Sequence, residues 1–151
     1  MGTYASGART RMILLDTNIV SELDNIILNA NVEKWLYAQD PSLIFICDPV
    51  IMEKAYGAER MILKENNFQY KNSLIDLISN VFVNQIMPFT TECAMIAGRL
   101  RAVRDSIGRP VSSPDMMIAA IALHNNMTLA TRNIKDFDGL DVKLVNPFEA
   151  A

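Results

Sequence analysis

The chain has 151 residues, half of them hydrophobic and about a fifth charged, which suits one domain with a sizeable core and excludes the disordered class. Its formal net charge of -3 argues against a protein that holds nucleic acid by charge alone, but it leaves open a nuclease whose metal ion supplies positive charge locally. No apolar stretch is long enough to cross a bilayer, so we expect no membrane contact and a cytoplasmic location.

The ends of the chain lie outside the predicted domain. Residues 1–11 lack the apolar segment of a signal peptide, so we expect a flexible leader or a cloning remnant. The single domain then spans 12–148, and 149–151 form a tail. Cys47 and Cys93 stand inside apolar segments without metal-type spacing, which predicts buried free thiols in a reducing compartment.

In the first half of the chain, short apolar runs that predict strands alternate with segments whose apolar residues have helical spacing. Residues 12–15 predict a buried strand followed by a short helix from Thr17, and 42–47 predict a second strand that leads into a helix over 49–65. Further helical spacing covers 31–39 and 67–83.

The second half continues this alternation. Its predicted elements are a short strand at 85–87, a helix from Thr90 or Thr91 to about Ile107, a helix that begins near Ser113, and strands at 127–131 and 141–146. Ser113 is the candidate N-cap, with Pro114 in the first helical position, which puts Asp115 in the first turn. The alternation predicts an α/β fold with a mostly parallel sheet and helices on both faces.

Acidic side chains follow the predicted strands at the edge where open α/β sheets bind ligands. They are Asp16, Glu53, Asp115 and Asp136. Taken singly, each has an ordinary structural role, since Asp16 could cap a helix and Asp115 could interact with a helix dipole. Together, carboxylates at a partly buried edge repel one another, and a divalent cation relieves that cost. The oxygen ligands favour Mg²⁺ or Mn²⁺ and phosphodiester hydrolysis.

Other catalytic arrangements are less well supported. His124 is the only histidine and falls late in a predicted helix, so Ser–His and Cys–His catalysis have no clear base. An aspartyl-nucleophile phosphatase or a receiver-like domain would also place an acid such as Asp16 at a strand end. Arg99, Arg101 and Arg104 give one helix a basic side, which is either a solvated face or a contact with RNA or a partner.

The stretch ILLDTNIVSEL, followed by CDPVIMEKAYGAERM, PDMMIAAIALHNNMTLATRNIKDF and a final VKLVNPF, resembles PIN-domain ribonucleases. The likeness covers 12–148 and is closest to the VapC and FitB-like toxins of bacterial toxin–antitoxin pairs. It implies a PIN-like three-layer α/β/α sandwich with a mostly parallel sheet. It also implies a Mg²⁺- or Mn²⁺-dependent endoribonuclease acting on RNA.

The resemblance assigns roles to the acids. The family's first and third acids fall on Asp16 and Asp115, which we expect to be the main metal ligands. Its glutamate falls on Glu53, which would hold or deprotonate the attacking water. Some relatives carry a fourth acid at the position of Asn133, and here Asp136 is expected to replace that charge.

Four hydroxyl or amide residues complete the expected site, and one of them, Asn133, would complete the acidic pocket together with Asp136. Thr131 matches the hydroxyl residue that lies beside the site in the family, while Thr17 and Asn18 would orient Asp16 or a metal-bound water. The family also implies a homodimer and a cognate antitoxin that places a basic side chain among the acids. The remaining alternative is a catalytically degenerate PIN fold that acts as a binding module.

Overall fold

The computed structural model describes residues 11–150. The predicted leader at 1–11 lies outside the described residues except for Arg11, whose guanidinium donates to the side chain of Asn126. Within the described range, no helix is long and apolar enough to span a membrane.

Strands and helices alternate along the chain. The strands are β1 (Ile13–Leu15), β2 (Ile44–Cys47), β3 (Ile86–Met87), β4 (Thr128–Ala130) and β5 (Lys143–Val145). The helices are α1 (Thr17–Glu22), α2 (Ala30–Tyr37), α3 (Asp48–Glu65), α4 (Gln69–Asp76), α5 (Thr91–Ser106) and α6 (Ser113–His124). A turn of π-helix covers Leu77–Val81, and 3₁₀ turns cover Pro41–Leu43 and Ile134–Phe137.

The strands form one sheet in the order β3-β2-β1-β4-β5, and every neighbouring pair is parallel. β1 lies in the centre, with Ile13 opposite Ile44 on one side and Leu15 opposite Ala130 on the other. The fold prediction is therefore confirmed. Because all strands point the same way, the residues that follow them emerge at one edge.

The core lies between the sheet and its helices. Leu14 and Leu15 of β1 are fully buried, as expected for a central strand covered on both faces. The middle of α6 is buried, and its Ala119, Ala120 and Ala122 let neighbouring elements approach closely. This helix packs against α5 and α3.

Several predicted boundaries differ from the structure. The predicted helix over 67–83 is divided into α4 and the π-helical turn, which ends before the buried Phe82. The start of the predicted strand at 42–47 is a 3₁₀ turn instead, because the Asp40 side chain accepts hydrogen bonds from the backbone N–H and hydroxyl of Ser42.

Both cysteines are buried and free, as predicted. Burial raises the pKa of the Cys47 thiol to about 12, and the nearby charges of Asp16 and Asp48 contribute in the same direction. Cys47 is therefore a neutral packing residue at neutral pH and has no thiolate to offer.

Candidate active site

Asp16 stands directly after the central strand, where it is almost fully buried at 3% exposure. Its Oδ1 accepts from the backbone N–H of Thr17 at 2.7 Å, so the residue does cap α1. Its Oδ2 accepts from the Thr131 hydroxyl at 2.7 Å and, at 3.5 Å, from the Asn18 amide. The carboxylate is therefore fixed on both oxygens by groups at the ends of two adjacent strands.

Burial raises the pKa of the Asp16 carboxyl above its ordinary value. The hydrogen bonds from Thr131 and Thr17 act in the opposite direction, and the charges of Glu53 and Asp136 raise the pKa further. The protein thus holds a carboxylate where its charge is costly unless a cation or another donor compensates it.

Glu53 approaches the site from α3, the helix that follows β2. Its Oε1 accepts from the Thr17 hydroxyl at 2.6 Å, which links it to the residue next to Asp16. The two residues also line a cleft of about 230 Å³ along α3. The neighbouring Lys54 also lines this cleft, but it pairs with Asp24 rather than with Glu53.

The segment after β4 is tied to the site through its backbone. The Thr131 hydroxyl accepts from the N–H of Asn133 at 3.0 Å, and the Asn18 side chain accepts from the N–H of Arg132 at 3.2 Å. The Asn133 side chain is exposed. Asp136 follows on the 3₁₀ turn and is half-buried.

Asp115 lies in the first turn of α6, as predicted from Pro114. Burial raises the pKa of its carboxyl to about 6, and the charges of Asp16, Asp136 and Glu53 contribute to the rise. The Ser112 hydroxyl donates to Asp115 Oδ2 at 2.9 Å, which opposes the rise in its pKa. The pair is a reciprocal cap, because the Asp115 N–H also donates to the Ser112 hydroxyl at 3.4 Å.

The structure thus brings the four predicted acids together at the carboxyl edge of the sheet. The charges of Glu53 and Asp136 act on both Asp16 and Asp115. The ion pairs among residues 11–150 are Lys54–Asp24 and Lys71–Glu59, and none involves these four acids. The result is an acidic pocket in which none of the four acids forms a salt bridge within the described residues, although Lys54 lines the cleft beside Glu53 and Lys135 lines a groove beside Asp136.

The pocket can be tested against the requirements of a divalent cation. No three acidic, histidine or cysteine side chains within 11–150 are close enough to form a complete metal cage. Mg²⁺ needs only one or two carboxylates, because it keeps several waters and takes further oxygens from a substrate phosphate. Asp16 and Asp115 are the candidates for these carboxylates, since Mg²⁺ and Mn²⁺ prefer oxygen ligands.

Two residues near the site differ from the sequence prediction. The N-cap of α6 is Ser112 and not Ser113, which is the first helical residue. The spacing of Ser112 to Asp115 is that of a capping box, and this signal could have identified the correct serine. Arg104, predicted to lie on a basic face, is 3% exposed and donates to the backbone carbonyls of Arg109, Asp138 and Lys135.

The fold and the pocket define the class of protein: a three-layer α/β/α protein with an acidic centre at the carboxyl edge of a parallel sheet. The model of the PIN domain family matches residues 13–143. The chain belongs to the PIN domain family. The resemblance found in the sequence is therefore confirmed.

Relatives and solved structures agree with this assignment. Plasmid stability protein StbB of Pseudomonas syringae pv. tomato is 32% identical over 139 residues, which cover 92% of this chain and 100% of that protein. VapC ribonuclease Y4jK of Sinorhizobium fredii is 26% identical over 140 residues, which cover 93% of this chain and 100% of that protein.

Among solved structures, FitAcB from Neisseria gonorrhoeae is similar with a TM-score of 0.78 and 29% identity, covering 91% of this chain and 99% of that one. A toxin–antitoxin complex from Klebsiella pneumoniae has a TM-score of 0.65 and 26% identity, with coverage of 91% and 98%.

Proposed function

We propose that this chain is a metal-dependent endoribonuclease that hydrolyses RNA phosphodiester bonds and acts as the toxin of a toxin–antitoxin pair. The observation that carries the proposal is the meeting of four acids from separate segments at one edge, none of which forms a salt bridge among the described residues. The names of two similar proteins, a VapC ribonuclease and a toxin–antitoxin complex, support it.

Asp16 and Asp115 would hold Mg²⁺ or Mn²⁺. When bound, such an ion lowers the pKa of an attacking water and offsets charge that develops on the phosphoryl oxygens. Asp16 suits a fixed ligand better than a phosphatase nucleophile, because it is buried and both of its oxygens already accept hydrogen bonds. Thr131 and Thr17 keep it in a single orientation.

Glu53 is placed to hold the attacking water or to take its proton. The Thr17 hydroxyl engages Oε1 and so orients the carboxylate, which leaves Oε2 as an acceptor toward the cleft. Asp136 adds charge to the pocket from the opposite side, where Asn133 supplies none. In this assignment Thr17, Asn18 and Thr131 are positioning residues, and Asp16, Glu53, Asp115 and Asp136 form the reactive pocket.

The proposal includes two protein partners. It also includes a cytoplasmic location, where the RNA substrate is present. One partner is a second copy of the chain, in a homodimer, and the other is a cognate antitoxin that inhibits by placing an arginine or lysine among the acids. Exposed apolar side chains on α3 and the segment after it offer surface for such contacts. These are Met52, Tyr56, Leu63, Phe68 and Ile75.

A cleavage assay with matched variants tests the assignment. Asp16→Asn and Asp115→Asn should each lower metal-dependent cleavage of single-stranded RNA by at least about 100-fold. Asp105→Asn, an exposed acid on α5, is the control and should cleave like wild type. Full cleavage by either site variant would overturn the assignment. A wild-type protein that binds RNA but never cleaves it would instead favour the binding-module alternative.

A further inference from the structure

A second groove opens beside the acidic pocket, on the segment that follows β4. It has a volume of about 330 Å³, within the range of roughly 300–1,000 Å³ that small ligands occupy. Asn133 and Asp136 line it, so it shares one acid, Asp136, with the proposed active site. Arg132, Lys135, Asn146 and Glu149 form the rest of its polar lining.

Arg132 supplies a flat surface in this groove. Its guanidinium lies 4.5 Å from the centre of the Phe148 ring, and the residue is exposed. Within 11–150 the guanidinium makes neither a hydrogen bond to a side chain nor a salt bridge. The guanidinium thus lies over an aromatic ring, and its N–H groups make no hydrogen bond within the described residues.

The support under Arg132 is itself fixed. The backbone N–H of Phe148 donates to the Asn146 side chain at 3.0 Å, and its carbonyl accepts from the Asn31 amide at 2.8 Å. Arg132 is also held through its own backbone, whose N–H donates to Asn18. The backbone of both residues in the Arg132–Phe148 contact is therefore held, and the same Asn18 side chain also contacts Asp16.

The charges of the groove indicate what it binds. Arg132 and Lys135 are balanced by Asp136 and Glu149, so the groove as a whole is not an anion site. A free phosphate would gain little there. A nucleobase needs no net charge, and bases in single-stranded RNA stack on arginine planes and aromatic rings.

We propose that the exposed Arg132 guanidinium, supported by Phe148, is the stacking platform for a base of the RNA substrate adjacent to the cleaved phosphate. The inference rests on the proposed ribonuclease function and names a substrate-binding subsite for it. It also explains how an acidic protein with a net charge of -3 can position an RNA strand, since stacking is insensitive to the charge of the pocket.

Three variants distinguish stacking from charge. Arg132→Ala and Arg132→Lys should both raise KM and the dissociation constant for single-stranded RNA by roughly 5- to 150-fold, with kcat nearly unchanged. Lysine keeps the positive charge but lacks the planar guanidinium, so Arg132→Lys should not restore RNA binding. Arg60→Ala is the matched control, because Arg60 also lies over an aromatic ring, that of Tyr56, at 5.6 Å. It should leave both constants within twofold of wild type.

Binding is measured by fluorescence anisotropy in EDTA, which separates this inference from the proposed function. A wild type that cleaves RNA while both Arg132 variants bind and cleave normally would overturn only the inference. Rescue by Arg132→Lys, or an equal loss in Arg60→Ala, would show a charge contact and overturn the stacking role. A wild type that never cleaves would overturn the proposed function, and the anisotropy comparison would still decide the subsite.

An abasic substrate gives a measurement that does not depend on the folding of a variant. Once the cleavage position is mapped, RNA that lacks the base next to it should bind wild type more weakly, by a factor similar to that of Arg132→Ala. The variant itself should not distinguish abasic from intact RNA. Equal binding of both RNAs by wild type would contradict the proposal.

Discussion

Asp16 illustrates how one residue can satisfy two interpretations of a sequence. Its Oδ1 caps α1, which is the ordinary role of an aspartate after a strand, and its Oδ2 is held by Thr131 from the neighbouring strand. An aspartate that served only as an N-cap would be exposed to water. Here the carboxyl is buried and its pKa is raised, so the extra contacts serve to keep a costly charge in a fixed place.

Replacing Thr131 tests this dependence. Thr131→Val keeps the shape of a fully buried side chain but removes its hydrogen bonds to Asp16 and from Asn133. We expect the free energy of unfolding to fall by about 1–3 kcal/mol, because buried polar groups lose their partners. The pKa of Asp16 should rise, since this hydrogen bond lowers it, and the acid limb of the cleavage pH profile should move to higher pH.

Thr131→Ser is the control, since it keeps the hydroxyl. Its pH profile should match that of wild type even if the lost methyl group lowers stability slightly. An unchanged acid limb in Thr131→Val would contradict a role for Thr131 in fixing the charge of Asp16.

Asp115 makes stability depend on pH. Its pKa is raised from 3.8 to about 6 by burial, so the native state holds a proton that the unfolded chain has already lost within that window. The free energy of unfolding therefore falls as the pH rises from about 4 to 6 and stays lower above it. In Asp115→Asn this fall in the free energy of unfolding is absent, and the asparagine oxygen still accepts the hydrogen bond from Ser112.

In EDTA at pH 7.5 we expect Asp115→Asn to be more stable than wild type by about 1 kcal/mol, after allowance for solvent screening and for the lost helix-dipole interaction. The difference should disappear near pH 4. Urea unfolding at several pH values measures it, with Asp105→Asn as the control that should change stability by less than about 0.5 kcal/mol. A variant that is less stable at every pH would contradict the assignment.

At the scale of elements, the sequence identified the acids well because parallel strands place their carboxyl ends at one edge. Asp16, Asp115 and Asp136 could each be placed by its distance from a strand or a helix start. The buried role of Arg104 could not, since it depends on three carbonyls that lie 5 to 34 residues further along the chain. Helical spacing reports which side faces the core, but it does not show when a buried arginine has backbone partners.

Arg104 links α5 to two segments of the site. Its guanidinium donates at 2.9 Å to the carbonyl of Arg109, which leads toward Ser112 and Asp115. It donates also to Asp138 and, more weakly, to Lys135, which flank Asp136. A buried cation that satisfies three carbonyls stabilises both segments at once.

Replacing Arg104 should therefore destabilise the protein. Arg104→Met fills similar space but leaves these carbonyls without a donor, so the free energy of unfolding should fall by about 2–4 kcal/mol. Arg104→Lys should recover only part of this loss, because one ammonium cannot span the same carbonyls. Arg99→Met, at an exposed position of the same helix, should stay within about 0.5 kcal/mol of wild type in urea unfolding. Equal stability of the two Met variants would contradict the role of Arg104.

For the whole molecule, the order of elements was enough to predict a parallel α/β sheet, because alternating strands and helices leave few other topologies. The distances between the four carboxylates could not be predicted, since they depend on how closely α3 and α6 pack against the sheet. The structure adds that the pocket is not a complete metal cage within 11–150, so any ion there must keep waters or take oxygens from the substrate.

Such a pocket predicts that wild type is less stable than Asp115→Asn without metal and more stable than that variant when metal is bound. Without metal, carboxylate repulsion destabilises the fold, and Asp115→Asn should relieve it and raise Tm. Asp16→Asn should not raise Tm, because an amide NH₂ group would replace an oxygen that accepts from Thr17 or from Thr131 and Asn18. With Mg²⁺ or Mn²⁺ at 100 times its dissociation constant, wild type should gain about 2.7 kcal/mol, and its Tm should rise by about 5–10 °C. Neither variant should respond.

The melting curves of wild type and Asp115→Asn should therefore exchange order as metal is added, in the absence of RNA. Calorimetry at constant ionic strength measures this and removes general screening of surface charge. Asp105→Asn should follow wild type at every metal concentration, because it leaves the pocket intact. If wild type and Asp115→Asn shifted in parallel, the ion would bind elsewhere, and the pairing of Asp16 with Asp115 as its ligands would be wrong.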